Sequence, residues 1–545
     1  MDRKHHSWRG AASIGTAGVL LGAVALACGL VAGAPAATAP AKKPPETRLL
    51  ARPVPPLPVT KIQASYSPSG QPHAEEEEED KHRMPRLPLG TGGLPRVRTQ
   101  AVRPEGVRLP GPSPLANTDD LGFAVNSALP ASAYSNTGNL SSTAEPSVAV
   151  NGNVILYTSN WFAAVSTNGG TTYQYVSPYS TFPQAGGEDF CCDQVVHYIP
   201  QIDTFVWLLQ YMENETTHEN VDRLVFATTA EVQANTWHYV DLTSQGLGIP
   251  GQWMDFPDLS YGTNNLYLTT NVFDGNDNIT HSLVVRIPLS GLQGAGSLSG
   301  IQVVTNENNV YGPRLAQNLG TTAYWAAHYT LSSMRVYAWD EASSTPTART
   351  VGIAAWNDAV TYSSTTPDGF NWLGFADSRI LGATLTGNEL WFAWSAAPRP
   401  ATGQTQAYVE VARISTSNWS LLGQPAIWNP NFAYAYPSLN TNTDGEVGVS
   451  ISYGGGTTQL SHAVGILTGT LKLVTTRTGS NGPSRGRWGD YLTIRRWRPN
   501  GKLFAATGFT LQGGNGNANS EPRYVVFGRS GDLVPTFSIS GTITL

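Results

Sequence analysis

A short pattern recurs seven times along this chain. A polar residue, often preceded by proline, opens an aliphatic or aromatic run, and a turn and a second apolar run follow. It reads Pro146-Ser147-Val148, Asp193-Gln194-Val195, Pro257-Asp258-Leu259, Pro313-Arg314-Leu315, Ser378-Arg379-Ile380, Pro437-Ser438-Leu439 and Gly489-Asp490-Tyr491. The central positions 147, 194, 258, 314, 379, 438 and 490 lie about 57 residues apart on average, which is room for one four-stranded antiparallel sheet each time. Turn residues punctuate the segments: Asn151-Gly152-Asn153 lies between Ser147–Val150 and Val154–Tyr157, and Thr443-Asp444-Gly445, Pro499-Asn500-Gly501 and Gly387-Asn388 precede apolar runs in the same way. Seven such sheets without a convincing helix predict an all-β chain, a seven-bladed β-propeller of four-stranded antiparallel blades over residues 119–545. A pair of β-sandwiches is the competing architecture, but it predicts no shared start motif.

Composition agrees with sheet and turn. Charged residues are 13% against 10% aromatic, with 56 Gly and 37 Pro. Three cysteines in 545 residues exclude a disulfide-stapled miniprotein, and a net charge of −6 gives no general case for nucleic-acid binding. The charge is uneven: Lys472 to Arg529 holds many of the basic residues of an otherwise acidic body.

The first 36 residues read as a secretory signal peptide. Arg3, Lys4 and Arg9 precede an apolar run from Ala11 to Ala34, and Ala34-Pro35-Ala36 is a small-residue cleavage pattern. A membrane anchor and a lipoprotein signal at Leu26-Ala27-Cys28 compete with this reading. No charge cluster follows the run directly, however, and apolar residues continue past Cys28, so secretion is the expectation. Residues 37–118 are Pro-rich, carry the acidic run Glu75 to Asp80 and lack a hydrophobic period, which predicts a disordered spacer.

One motif resembles a known family. Ser166-Thr167-Asn168-Gly169-Gly170-Thr171-Thr172-Tyr173 is similar to the Asp-box of neuraminidase-type repeats, Ser-x-Asp-x-Gly-x-Thr-Trp, with Asn for Asp and Tyr for Trp. The resemblance implies a sialidase-like propeller with this turn between the third and fourth strands of blade one. It also implies an arginine cluster for a substrate carboxylate, for which Arg314 and Arg379, with Arg487, occupy suitable positions. The Arg-Ile-Pro signature expected near the first blade is missing; Arg286-Ile287-Pro288 reads as an outer strand end of the third segment.

In a propeller the first strand of each blade lines the central channel, so the blade starts are where chemistry would gather. Asp193, Asp258 and Asp490 are the candidate catalytic acids. Arg314, Arg379, Arg487, Trp488 and Tyr436 are the candidate substrate contacts. The bland alternative is that these groups satisfy backbone or pair neighbouring blades. Cys191 and Cys192 are adjacent: in an oxidising compartment they are expected to close a vicinal disulfide, a rigid apolar plate beside Gly186-Gly187-Glu188-Asp189-Phe190, and the alternative is a reduced pair of buried small hydrophobes. Arg495 and Arg496 follow strand alternation and are expected on opposite faces. No metal-ligand spacing or cofactor motif is present; Asp274-Gly275-Asn276-Asp277-Asn278 reads as a hairpin tip. The expected partner is extracellular carbohydrate, bound or hydrolysed by a monomeric glycoside hydrolase or lyase. The alternative is a surface protein docked on a non-catalytic scaffold.

Overall fold

Each of the seven pattern positions lies in or just before the innermost strand of a separate antiparallel sheet. These strands are Ser147–Asn151, Phe190–Ile199, Gln252–Tyr261, Arg314–Leu315, Ile380–Thr386, Ala433–Thr441 and Ile494–Arg496. The computed structural model describes residues 43–64, 121–294, 296–307, 310–358 and 362–533. The expected signal peptide and the acidic run lie outside the described residues. The fold is an all-β propeller of seven blades with four to six strands each.

Apolar side chains alternate along the strands and meet between blades, which is why so uncharged a chain folds this way. A separate buried cluster fills each junction. Trp207 and Trp237 of blade 2, for example, pack with Leu156 and Val165 of blade 1, and Phe392 and Trp394 of blade 5 pack with Met334 and Val336 of blade 4. The ring closes in the same manner, since Tyr524 and Val526 of blade 7 pack against Val148 and Tyr157 of blade 1. Closure is also secured by strand pairing. Leu121–Ala128, at the start of the propeller sequence, is the outermost strand of blade 7 and pairs antiparallel with Ser520–Arg529.

The expectation of a spacer without secondary structure fails for residues 43–64. Glu46–Arg48 pairs with Thr347–Gly352 on the outer edge of blade 4, and Arg52–Pro53 pairs with Gln302–Thr305 on blade 3. Leu57–Gln63 pairs with Thr236–Thr243 on blade 2. Glu46–Arg48 and Arg52–Pro53 are the outermost strands of their blades, where a missing N–H is tolerated, whereas Leu57–Gln63 is flanked on its outer side by the short strand Gly296–Leu298, with Pro58 opposite Ser297. What stabilises the strap is supplied by the blades it crosses. Val54 is buried and donates its N–H to Ile301 O at 2.9 Å, and Leu57 and Val59 pack on the core between blades 2 and 3.

The turn from Ser166 to Tyr173 lies between the third and fourth strands of blade 1. Ser166 Oγ accepts from Gly170 N at 2.9 Å and Asn168 Oδ1 accepts from Thr172 N at 2.9 Å, while Tyr173 is buried. Arg286 lies on the third strand of blade 3 and donates to Ser343 O at 3.0 Å. Asp274 to Asn278 forms a hairpin tip, with Asp274 Oδ1 accepting from Asn276 N at 2.9 Å.

Candidate functional site

The upper face is the end of the ring where the innermost strands begin. Its side chains are aimed by an unusual backbone conformation. Glu145, Phe256 and Tyr436 each immediately precede a proline at a blade start, and each has a positive φ, of 44°, 58° and 57°. The pairing register slips at two of them, between Asp255 and Asp258 and between Ala435 and Ser438. A bulge of this kind turns a side chain that strand alternation alone would place elsewhere. Glycine alone suits position 489, where φ is 93° and a Cβ would lie 2.9 Å from Glu145 Cγ. That close approach lets Asp490 N donate to Glu145 Oε1 at 2.6 Å.

Around these residues a charged cluster forms, with Arg379 at its centre. Its Nε lies 2.7 Å from Asp377 Oδ2 and its Nη2 lies 2.9 Å from Asp490 Oδ1. Its guanidinium also covers the Phe256 ring, 4.0 Å from the centroid. Arg487 approaches Asp490 Oδ2 at 3.8 Å. The two acids are the more accessible members: Asp377 and Asp490 side chains are each 18% exposed, against 9% for Arg379. Burial raises the Asp377 carboxyl above the usual carboxylate range; Arg379 opposes the shift and Asp490 adds to it. Tyr436 is buried beside the same groups, its hydroxyl has no hydrogen-bond partner among the described residues, and burial together with Asp490 and Asp377 raises its pKa.

The structure therefore brings Asp490, Arg379, Arg487 and Tyr436 together as expected and leaves other candidates elsewhere. Asp258 and Arg314 form a separate buried pair, Oδ2 to Nε 3.3 Å, and Asp258 also accepts from Leu315 N at 3.1 Å. This pair joins blades 3 and 4, the bland reading for both residues. Asp193 is 6% exposed and accepts from the Tyr491 hydroxyl at 3.3 Å. Trp488, expected as an open apolar contact, is instead core: it stacks on Phe509 with centroids 4.1 Å apart and donates Nε1 to Ser452 Oγ at 3.0 Å. It belongs to an apolar cap on the upper channel with Tyr362, Trp372 and Tyr491. Cys191 and Cys192 form the vicinal disulfide at the start of the blade 2 inner strand; Cys191 is half-buried and Cys192 buried.

One residue of importance escaped the sequence reading. Asp377 lies in the long connection from blade 4 to blade 5, which folds across the upper face and holds blade 7's approach through Gly374 N to Gly486 O at 3.1 Å. It sits two residues before a blade start, so position was the available signal. Arg498 lines a cavity at the opposite, lower end of the channel together with Arg495 and Arg496. Arg495 and Arg496 point opposite ways, as alternation requires, yet they do not form separate patches, because their strand ends beside one cavity that both line. One arginine crosses to Val196 O of blade 2 and the other turns to Thr441 O of blade 6, around a single cavity. Among the described residues no group of three or more His, Cys, Asp or Glu could hold a metal ion, and no helix is long and apolar enough to cross a membrane.

No family model and no curated protein sequence matches the chain. Among solved structures it is similar to the α-L-arabinofuranosidase Arb93A from Fusarium graminearum, at 11% identity and a TM-score of 0.36 over 70% of this chain and 92% of that one. It is similar to the Penicillium chrysogenum α-L-arabinanase complexed with arabinobiose, at 11% identity and a TM-score of 0.35 over the same shares. A puromycin hydrolase matches at 13% identity and a TM-score of 0.33 over 71% of this chain and 53% of that one. Likeness of this degree assigns no activity.

Proposed function

We propose that this chain is a secreted propeller that binds and hydrolyses a carbohydrate at the upper axial cluster. The observation that carries the reading is the pair of partly exposed carboxyls, Asp377 and Asp490, flanking Arg379 beside an unpartnered Tyr436 hydroxyl. Glycoside cleavage needs one carboxyl that keeps its proton and another group that stabilises positive charge on the sugar ring. Burial favours the protonated form of Asp377, and Asp490 lies between two guanidiniums. Asp377 is then the proton donor and Asp490 the anionic partner, with Tyr436 supplying a further oxygen.

The sugar is of the neutral class. A sialic acid would need free arginines for its carboxylate, whereas Arg379 is engaged by Asp377 and Asp490, and Arg314 by Asp258. The half-buried edge of the Cys191–Cys192 ring, three residues or fewer from Asp193, supplies an apolar surface for a sugar face. Secretion rests on the signal-like first 36 residues and agrees with the oxidised cysteine pair.

The test is a glycan-array screen followed by hydrolysis of aryl glycosides of the sugars that bind. Alanine at Arg379 is a poor probe, because removing one partner of a buried pair costs roughly 3–5 kcal/mol whatever the function. Asp490→Asn and Asp377→Asn keep shape and leave Arg379 one carboxylate. Each is expected to lower kcat by about 10²–10⁴-fold with little change in Tm. Tyr436→Phe breaks no hydrogen bond, so it should hold or raise Tm while lowering turnover. Folded protein that neither binds nor cleaves any glycan on the array would sink the proposal.

A further inference from the structure

The lower end of the channel, where the innermost strands finish, holds a cavity of about 430 Å³. Arg495, Arg496 and Arg498 of blade 7 line it, facing Tyr198 of blade 2, Tyr261 of blade 3 and Gln317 of blade 4. This is far from the residues of the upper cluster in strand position, and none of them is shared.

The arginines are held by neutral atoms. Arg495 donates Nε and Nη2 to Val196 O at 3.3 and 3.2 Å and Nη1 to Ile494 O at 3.3 Å. Arg496 donates Nε and Nη2 to Thr441 O at 3.1 and 3.0 Å and also reaches Asn318 Oδ1. Arg498 lines the cavity together with Tyr261. Carbonyls and amides fix the orientation of a guanidinium but do not cancel its charge. The nearby acids are engaged elsewhere. Asp258 is 2% exposed and paired with Arg314, and Asp203, on the side of Tyr198, accepts from the Tyr198 hydroxyl at 2.9 Å and from Thr229. None of the three arginines makes an ion pair among the described residues. His197, also in the wall, is buried with Nε2 against Leu259 O at 2.9 Å, and its pKa is lowered well below 6.5 by burial and Arg495. The same burial, with Arg314 adding and Asp258 opposing, pushes Arg495 down to about 9.

We propose that this lower cavity binds a small ligand carrying a phosphate or sulfate group. Three guanidiniums without an ion-pair partner among the described residues, brought from one strand end into a partly enclosed space, repel one another, and an anion relieves that cost. Arginine presents planar donor forks that match a multi-oxygen anion. Forks arriving from three positions, together with tyrosine hydroxyls and side-chain amides, suit a tetrahedral group better than a planar carboxylate. The volume is that of a small-molecule pocket rather than of a bare ion, so the anion is one end of a ligand whose body lies against Tyr198, Tyr261 and Leu319.

The experiment is thermal shift and titration calorimetry of the full chain with inorganic phosphate, inorganic sulfate, acetate and chloride at matched ionic strength. Phosphate or sulfate is expected to raise Tm saturably, and whichever binds more tightly names the group carried. Arg498→Ala and Arg496→Ala, both at partly exposed positions, should each weaken that binding by about tenfold or more, while Arg498→Lys should recover part of it. Glycan binding at the upper cluster should be unchanged in these variants, so this result stands or falls apart from the proposed hydrolysis. No saturable shift with either oxyanion, an equal shift with acetate, or undiminished binding in both alanine variants would overturn the assignment.

Discussion

Glu145, Phe256, Gly312 and Tyr436 occupy equivalent places, each directly before a proline at the start or at a bulge of an inner strand, and all four have a positive φ. A residue before proline is normally pushed to the extended region, and a left-handed non-glycine costs on the order of 1–3 kcal/mol. Glycine at 312 avoids that cost. The other three retain side chains, and each of these joins the upper cluster: Glu145 holds Asp490 N, Phe256 lies under Arg379, and Tyr436 stands beside the acids. The X-Pro dipeptide was visible in the sequence, but its handedness was not, because it follows from the bulge in the paired strand. A second residue-scale feature is testable by pH. Asp222 on the third strand of blade 2 is fully buried, and neither carboxyl oxygen has a hydrogen-bond partner among the described residues. Burial, with Asp255 adding, raises its pKa from 3.8 to about 8. The folded state therefore keeps a proton that the unfolded chain releases above pH ~4. The stability linked to that proton is full below pH 3.8 and is lost as pH rises through about 8. Asp222→Asn, which cannot ionise, should gain stability relative to the parent between pH 5 and pH 8, on the order of a few kcal/mol by the top of that range. Urea melts at the two pH values check it, and a difference independent of pH would refute the buried neutral acid.

At the scale of elements, every inner strand was legible because period-2 runs, turn residues and a repeated opening all pointed to the same unit. The strap of residues 43–64 was not. Its strands are two to seven residues long and rich in proline, and the apolar positions Leu57, Val59 and Ile62 break period two after Val59, so no alternating run could be read. The strap's anchors come from distant sequence: Arg349 Nη1 donates to Pro44 O at 2.6 Å and pairs with Glu46, while Arg335 Nη2 donates to Thr47 Oγ1 at 2.7 Å. It crosses blades 4, 3 and 2 in that order, opposite to the order in which the chain builds them. A chain lacking residues 43–64 should keep its seven blades and its upper cluster but melt on the order of 5–10 °C lower, with the outer edges of blades 2 to 4 losing amide protection. An unchanged melt would mean that the strap contributes no stability to the ring.

The whole molecule depends on one long-range contact that local sequence patterns do not reveal. Seven four-stranded blades can be counted from the start motif, yet the seventh has only three strands of its own: Ile494–Arg496, Phe504–Leu511 and Ser520–Arg529. Its fourth, Leu121–Ala128, arrives from the other end of the propeller sequence and completes the ring. Leu121 and Phe123 deliver that closure energetically, packed with Phe504, Phe527 and Ile466 in the core between blades 6 and 7. Phe123 is 1% exposed, so Phe123→Ala should cost about 3–5 kcal/mol. Because the contact joins two ends of a closed ring, the loss should appear as one earlier cooperative transition of the whole propeller, not as a separate melting of blade 7. A chain that starts after residue 128 goes further, exposing the edge of Ser520–Arg529 to pairing with another molecule. It should therefore elute as dimers or larger species, and supplying the 121–128 segment as a peptide should return it to the monomer. Calorimetry and size-exclusion chromatography together decide the matter: a two-step melt of Phe123→Ala, or a stable monomer without the segment, would show that the blade junctions alone hold the ring.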